Sequence, residues 1–155
     1  MSTIEQLASM LVHLEWANTR VLQALTSQPE LAIRSDALRL FTHVLGSERV
    51  WYARIQGDPE LNPPWPGHTL ADLESELAHN VADLNETLSG LVDSDLDREI
   101  VYRTTAGVEH RCRLGDILTH VALHGAYHRG QIALVLRQGA GEPVSTDYIK
   151  MIRES

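Results

Sequence analysis

Residues 118–131 read Leu-Thr-His120-Val-Ala-Leu-His124-Gly-Ala-Tyr-His128-Arg-Gly-Gln, with three histidines spaced four residues apart. Residues four apart share one face of a helix, so each neighbouring pair of these histidines could bind one metal ion. All three cannot bind the same ion, because His120 and His128 are separated by about 12 Å of helical rise. Ligand nitrogens of a single ion lie within about 4 Å of one another.

A helical wheel selects the pair His124 and His128. With His124 at zero and about 100° per residue, His128 falls at about 40° and His120 at about −40°. The apolar residues of the same helix fall between about 20° and 60°: Ile117, Val121 and Val135. We therefore expect His124 and His128 to face the core and His120 to lie on its rim. A single core histidine is usually structural, but two at ligand spacing favour a metal site.

Four segments repeat their apolar residues with a helical period: about 3–27, 35–56, 69–91 and 114–138. The third segment begins with Thr69-Leu-Ala-Asp72, which resembles a capping box. These segments predict an all-α fold, an up-down-type four-helix bundle in which a ligand site is built from facing helices.

The segments between the predicted helices have other patterns. Residues 99–103 and 108–112 flank a short Thr-Thr-Ala-Gly turn and alternate with a period of two, which predicts a small β-hairpin between helices three and four. Residues 57–67 contain four of the six prolines and form a predicted loop. The tail from Pro143 to Ser155 has room for one more helical turn. The length of 155 residues suits a single domain over residues 1–155.

The composition excludes several classes of protein. Thirteen Lys and Arg against 21 Asp and Glu give a net charge of −8, which argues against nucleic acid as a partner. No apolar run approaches the roughly 20 residues of a membrane-spanning helix, so we expect no membrane partner. The first residues lack the pattern of a signal peptide, which predicts a cytoplasmic protein. Cys112, the single cysteine, rules out an internal disulfide and a Cys-rich zinc site.

A metal site needs a third ligand from another element, and five further histidines are available: His13, His43, His68, His79 and His110. His13 and His79 lie off the apolar stripes of their helices, and His68 lies in the proline-rich loop. His110 alternates inward on the predicted hairpin, and His43 lies just outside the stripe of the second helix. The pattern of the residues ranks His43 and His110 equally.

Other catalytic constellations fail on spacing. A di-iron bundle needs two Glu-x-x-His motifs, whereas Glu76 to His79 is the single one and points away from its helix's leucines. The zincin, phosphate-loop and nucleophile-elbow motifs are absent from the sequence. Cys112 is interpreted as a hairpin residue. Glu48 lies on the apolar stripe of the second helix, either as a buried carboxylate or as the partner of an arginine.

Four stretches resemble the DinB/YfiT-like family of four-helix-bundle metal proteins, over nearly the whole length: Leu14-Glu-Trp-Ala-Asn18, His43-Val-Leu-Gly-Ser-Glu-Arg-Val-Trp51, His124-Gly-Ala-Tyr-His128-Arg-Gly-Gln131 and Pro143-Val-Ser-Thr-Asp147. The resemblance implies a metal triad of His43, His124 and His128. It thereby distinguishes His43 from His110, which the residue pattern alone does not. Three imidazoles form an open site of catalytic type, and nitrogen ligands do not select among zinc, nickel, iron and manganese.

The resemblance also implies a function. Some relatives are metal-dependent thiol transferases that use low-molecular-weight thiols, and others resemble hydrolases or isomerases. Our leading hypothesis is a metal-dependent enzyme acting on a small molecule, of the thiol transferase or hydrolase type. The alternative is a non-catalytic, stress-linked binding module that is stabilised by its metal. In either case we interpret Arg129 and Gln131 as residues behind the ligands or on the surface.

Two tryptophans predict self-association. Trp16 points away from the apolar stripe of the first helix, and Trp51 lies on the edge of an unusually wide stripe on the second. Large exposed aromatic residues mark interaction surfaces more often than bare solvent. We therefore expect a homodimer, which the family resemblance also implies. The competing expectation is a monomer in which the C-terminal tail or the proline-rich loop with Trp65 covers this surface.

Overall fold

Helices make up most of the protein. The computed structural model describes residues 1–58 and 69–155. The helices are α1 (Thr3–Ser27), α2 (Pro29–Arg34), α3 (Ala37–Gln56), α4 (Leu70–Leu88), α5 (Leu114–Gln138) and α6 (Tyr148–Glu154), and the strands are β1 (Glu99–Arg103) and β2 (Glu109–Arg113). The predicted all-α class with a small hairpin before the last long helix is confirmed. The expected loop at 57–67, with Trp65, lies largely outside the described residues.

The four long helices α1, α3, α4 and α5 form the bundle. Helix α3 packs against α4 and α5, and α1 packs against the same two helices. Helices α3 and α5 run in opposite directions, because His43 meets His124 while Trp51, two turns later on α3, meets His120, one turn earlier on α5. This antiparallel pair carries the candidate site.

Side-chain caps fix where two bundle helices begin. The Ser2 hydroxyl accepts the Glu5 amide and the Glu5 carboxylate accepts the Ser2 amide, which closes a capping box at the start of α1. The expected box at the start of α4 is also present between Thr69 and Asp72. A cap of this kind contributes about 1 kcal/mol to helix stability, because it satisfies amides that have no partner within the helix.

The interior consists of two hydrophobic clusters with a polar layer between them. One cluster contains Leu25, Phe41, Leu73 and Leu136, and the other contains Leu11, Tyr52, Leu84 and Leu118, among others. Along each bundle helix, one buried polar residue lies between the members of the two clusters: Asn18, Glu48, Asn80 and Arg129. Every helix of the bundle therefore contributes to this polar layer.

The hairpin corrects one expectation. Strands β1 and β2 pair in an antiparallel register that places Ile100 opposite Cys112 and Tyr102 opposite His110. Ile100 is buried and Cys112 is half-buried, but His110 is exposed. The prediction that His110 points into the protein is therefore wrong. The alternation is correct, but the turn end of the hairpin projects beyond the bundle, and no helix among the described residues buries it.

The C-terminal tail packs across α1. The His13 ring forms a hydrogen bond with the Thr146 carbonyl at 2.6 Å, and its centroid lies 5.4 Å from that of Tyr148. Trp16 lies beside His13, with the Arg20 guanidinium 4.7 Å from its ring centroid. Trp16 is therefore half-buried under its own chain, as the monomer alternative expects, and its predicted role as an open interaction surface is not supported.

Two short helical segments escaped the periodicity analysis. Helix α2 fills the turn between α1 and α3, and a single 3₁₀ turn covers Asp93–Asp97. Segments of five or six residues are too short to show a helical period. Among the described residues, no helix combines the length and the apolar character that crossing a membrane requires.

Candidate metal centre

His43, His124 and His128 lie together on the surface between α3 and α5. One ring nitrogen from each can be chosen so that all three atoms lie within 4.8 Å of one another. The Nε2 atoms of His43 and His124 are 3.2 Å apart. The predicted convergence of these three residues is therefore present in the structure, as a cluster of imidazoles contributed by two antiparallel helices.

The cluster lies nearer the surface than the helical wheel indicates. His124 and His128 are half-buried and His43 is exposed. The wheel treats the helix alone, whereas the inward face of α5 next to His124 and His128 is occupied by the buried residues Gly125 and Arg129. The histidines therefore lie at the edge of the α3–α5 contact, where a bound ion would be accessible from solvent.

Burial keeps two of these rings neutral. It lowers the pKa of His124 to about 4, and the neighbouring His128, His43 and His120 lower it further in that order. Burial also lowers the pKa of His43, with smaller contributions from His128 and Arg39. Because a metal ion binds the neutral imidazole, the site is prepared for a cation near neutral pH.

Gln131 fixes the orientation of His128. The Nδ1 atom of His128 lies 2.6 Å from Oε1 of Gln131, one turn later on α5. An amide oxygen can only accept, so Nδ1 carries the hydrogen and the Nε2 lone pair of the ring is free. This agrees with the interpretation of Gln131 as a residue behind the ligands, since outer hydrogen bonds of this kind orient metal-binding histidines.

The donor set fits a divalent transition metal. Two nitrogens bound tetrahedrally at about 2.0 to 2.1 Å lie about 3.3 Å apart, and the separation between His43 and His124 is 3.2 Å. Three neutral nitrogen donors suit zinc, nickel, iron and manganese, and do not choose among them. Three ligands also leave further coordination positions for water or substrate.

The other histidines in the described part of the chain do not join the cluster. His120 is exposed, with its ring centroid 5.5 Å from that of His124, which matches the expected rim position. His13 is held by the tail, His79 is exposed on α4, and His110 stacks on Tyr102 with the centroids 5.8 Å apart. The fifth candidate for a third ligand, His68, lies outside the described residues.

The polar layer of the bundle is one hydrogen-bonded network behind the histidine cluster. Arg129, the residue after His128, donates to the Asn18 amide oxygen at 2.9 Å, and the Asn18 amide nitrogen donates to Glu48 at 2.7 Å. The Asn80 amide nitrogen donates to the other Glu48 oxygen at 3.2 Å and to the Leu45 carbonyl at 2.8 Å. The network therefore ties all four bundle helices together.

Both ionisable groups of this network have shifted pKa values. Burial raises the pKa of Glu48 to about 7, although hydrogen bonds from the two asparagines and the charge of Arg129 oppose the shift. Burial lowers the pKa of Arg129 to about 10. Glu48 is therefore the buried carboxylate that its position on the stripe suggested, and Arg129 belongs to the interior. The part played by Asn80 had no signal in the sequence beyond its place on an amphipathic helix.

A row of aromatic rings continues from the histidine cluster along α3 and α5. The ring centroids of His120 and Trp51 are 5.3 Å apart, and those of Trp51 and Tyr102 are 5.1 Å apart. Trp51 is therefore packed within its own chain, which removes the second premise of the expected dimer. The Arg54 guanidinium covers both Trp51 and Tyr102. Arg54 was not among the predicted site residues, although it lies eleven residues after His43 and hence on the same helix face.

Two minor interpretations agree with the structure. Cys112 is a half-buried hairpin residue whose sulfur lies 3.7 Å from the Tyr102 hydroxyl. Glu76 pairs with Arg49 at 3.2 Å, and His79 is exposed, so this Glu-x-x-His motif does not form a metal site within the described part of the chain.

The sequence model of the DinB family matches residues 1–154. No curated protein matches the chain.

Proposed function

The chain belongs to the DinB family, and we propose that it binds one divalent metal ion through His43, His124 and His128 for chemistry on a small molecule. The observation that carries this proposal is the convergence of the three imidazole nitrogens within 4.8 Å. The same residues match the histidines that the family resemblance implies.

The residues around the proposed site have different roles. A divalent ion held there would act as a Lewis acid and lower the pKa of a thiol or a water molecule. Gln131 holds the ring of His128 with its Nε2 atom free for the ion. Arg129 anchors α5 to α1 through Asn18, which fixes the rotation of the helix that carries two of the ligands. His43 is exposed, so a substrate reaches the site without displacing the core.

We propose a low-molecular-weight thiol as the nucleophile and hence a metal-dependent S-transferase, with a hydrolase that uses water as the neighbouring possibility. Both reactions need the same feature, an accessible Lewis acid beside a surface that can position a second molecule. The accessible position of His43 supports an enzyme over the non-catalytic, metal-stabilised module, for which a closed site would serve better.

Metal uptake tests the first half of the proposal. The protein is purified without a polyhistidine tag, and bound metals are measured by mass spectrometry. We expect close to one divalent ion per chain in the wild type. His124→Ala should weaken binding by more than the roughly 10–100-fold that a residue behind the ligands contributes, and Gln131→Leu should fall within that range.

His79→Ala is the matched control, because His79 is an exposed histidine outside the cluster. It should retain the full metal content. Equal metal loss in His79→Ala and His124→Ala would show that the assigned triad is not the site.

Catalysis is tested on the metal-loaded protein by a conjugation screen. Several low-molecular-weight thiols are paired with small electrophiles, and ester substrates are included to detect hydrolysis. The enzyme proposal expects turnover that disappears in His124→Ala. Metal-dependent stability with no turnover in any arm would instead favour the non-catalytic module.

A further inference from the structure

One face of α3 continues from the metal centre to a positive charge. Counting about 100° per residue from His43, the following positions return to within about 40° of it: Ser47, Val50 and Arg54. His43 is exposed and the other three are half-buried, so this face is partly open to solvent. A molecule that lies along it would meet the metal ligand first and the guanidinium last.

Arg54 is held in place before any ligand arrives. Its Cζ atom lies 4.6 Å from the ring centroid of Trp51 and 4.6 Å from that of Tyr102. Its Nη2 atom donates to the Arg103 carbonyl in the hairpin at 3.5 Å. A guanidinium supported by two rings loses little side-chain freedom on binding an anion, and so it binds more tightly than a mobile one.

Arg54 also lacks a carboxylate partner within the described part of the chain. Six other arginines form ion pairs there: Arg20, Arg39, Arg49, Arg103, Arg111 and Arg113. Burial lowers the pKa of Arg54, because its charge is partly removed from water. An anion at this position would offset that cost.

The distance between the histidine cluster and Arg54 sets the length of a molecule that could contact both. Trp51, which supports the guanidinium, lies eight residues after His43, or about 12 Å along α3. Val50 and the rings of Trp51 and His120 occupy the interval. An apolar or aromatic surface between a metal ligand and a fixed cation suits an elongated molecule with different groups at its ends.

We propose that Arg54 binds the carboxylate end of an elongated small molecule whose other end reaches the histidine cluster. This inference rests on the proposed function and names the class of its substrate, a carboxylate-bearing compound with a metal-binding head group. One arginine in a chain of net charge −8 suits a singly charged carboxylate better than a dianion such as a phosphate monoester.

Calorimetry on zinc-loaded protein tests the proposal with two probes of equal length. Mercaptooctanoate carries a thiol at one end and a carboxylate at the other, and mercaptooctanol replaces the carboxylate by a hydroxyl. We expect the wild type to prefer mercaptooctanoate by about tenfold or more, because the carboxylate makes a charge-assisted contact with Arg54 that the neutral hydroxyl does not make. Arg54→Met should abolish the preference, and Arg54→Lys should retain part of it.

Arg137→Met is the control for net charge, because Arg137 is exposed and lies nine residues after His128, on the opposite face of α5. It should keep the full preference. Circular dichroism verifies that each variant is folded. A preference that survives in Arg54→Met, or no preference in the wild type, would overturn the assignment of this subsite.

A metal-free experiment separates the two proposals. The Arg54 Nε–H resonance is followed by NMR while each probe is added to protein without zinc. We expect a shift with mercaptooctanoate and none with mercaptooctanol. A protein that takes up no zinc but shows this shift would refute the metal centre and leave the carboxylate site intact, whereas zinc uptake without the shift would do the reverse.

Discussion

If the histidine cluster holds a metal ion as proposed, metal retention should depend on pH through these histidines. A free imidazole has a pKa near 6.5, but burial lowers the pKa of His43, and that of His124 to about 4. These two rings therefore stay neutral below the pH at which a free histidine charges. We expect full retention at about pH 7 and loss between about pH 6 and pH 4. Equilibrium dialysis followed by metal analysis measures this, and a metal content unchanged at about pH 4 would contradict an all-histidine site.

Glu48 should give the protein an unusual pH dependence of stability. Its pKa is raised from 4.5 to about 7, so the folded state binds a proton that the unfolded state has released. The resulting stabilisation is fully present below pH 4.5 and is lost as the pH rises through about 7. Glu48→Gln resembles the protonated form and should lack this loss.

The free energy of unfolding of Glu48→Gln and of the wild type is measured in urea at each pH. The difference between the two should change in favour of Glu48→Gln by up to about 3 kcal/mol from acidic to mildly alkaline pH. The exposed Glu74→Gln is the control and should follow the wild type. A constant difference between Glu48→Gln and the wild type across this range would mean that the buried carboxylate does not titrate there.

At the residue level, the sequence predicted those features of the site that depend only on the spacing of residues along one helix. His124 and His128 share a face because they are four residues apart, and that holds in any helix. The choice between His43 and His110 depends on the register of α3 against α5, which no local period encodes. Arg54 went unnoticed because its importance arises from two rings, Trp51 and Tyr102, that only the folded chain brings to it.

Two glycines within α5 should respond in opposite ways to replacement by alanine. A Cβ atom at Gly125 would lie 2.8 Å from Nη1 of Arg129 and 3.3 Å from Leu14, so Gly125→Ala should displace the buried guanidinium and destabilise the fold by about 1–3 kcal/mol. Apart from its chain neighbours and the nearby backbone of α5 itself, no described atom lies within 4 Å of a Cβ at Gly130. Gly130→Ala should therefore stabilise the helix by about 0.5–1 kcal/mol.

Urea unfolding of the two variants checks this pair directly, with each serving as the control for the other. Equal effects at both positions would show that the space inside the bundle beside Arg129 does not require a glycine at position 125.

At the level of elements, long amphipathic helices were predictable and short connections were not. The bounds of α1 and α5 follow from their apolar periods, and the Thr69 cap fixes the start of α4. Helix α2 has only two buried residues, Leu31 and Ala32, and two positions cannot define a period. Likewise, the wide stripe on α3 reflects contacts with α4, α5 and β1 within one chain, and does not require a second subunit.

The homodimer stays a prediction, but its expected contact surface is now a face of α5 and no longer the surface around Trp16 and Trp51. Leu123, Tyr127 and Leu134 are 59%, 67% and 50% exposed on one face of α5. In a two-fold dimer that uses this face, the three side chains of each subunit would be buried against the same face of the other subunit. Size exclusion with light scattering should therefore give about twice the 17.3 kDa of one chain.

Leu134→Glu should shift that assembly to the monomer. The control, Ile33→Glu, introduces the same charge at a site on α2 that is 66% exposed. A wild type that stays at the mass of one chain at high micromolar concentration would refute the dimer, and equal dissociation by both variants would refute the assignment of this face.

The two helices that supply the histidines are far apart along the chain. His43 and His124 are separated by 81 positions. An ion bound by both histidines would act as a reversible cross-link that closes a long loop. The cross-link would restrict the unfolded chain only as long as the ion stays bound. The lifetime of this protein against proteases in the cell should then follow the supply of metal, so that a cell starved of the ion would hold less of the protein even at a constant rate of synthesis.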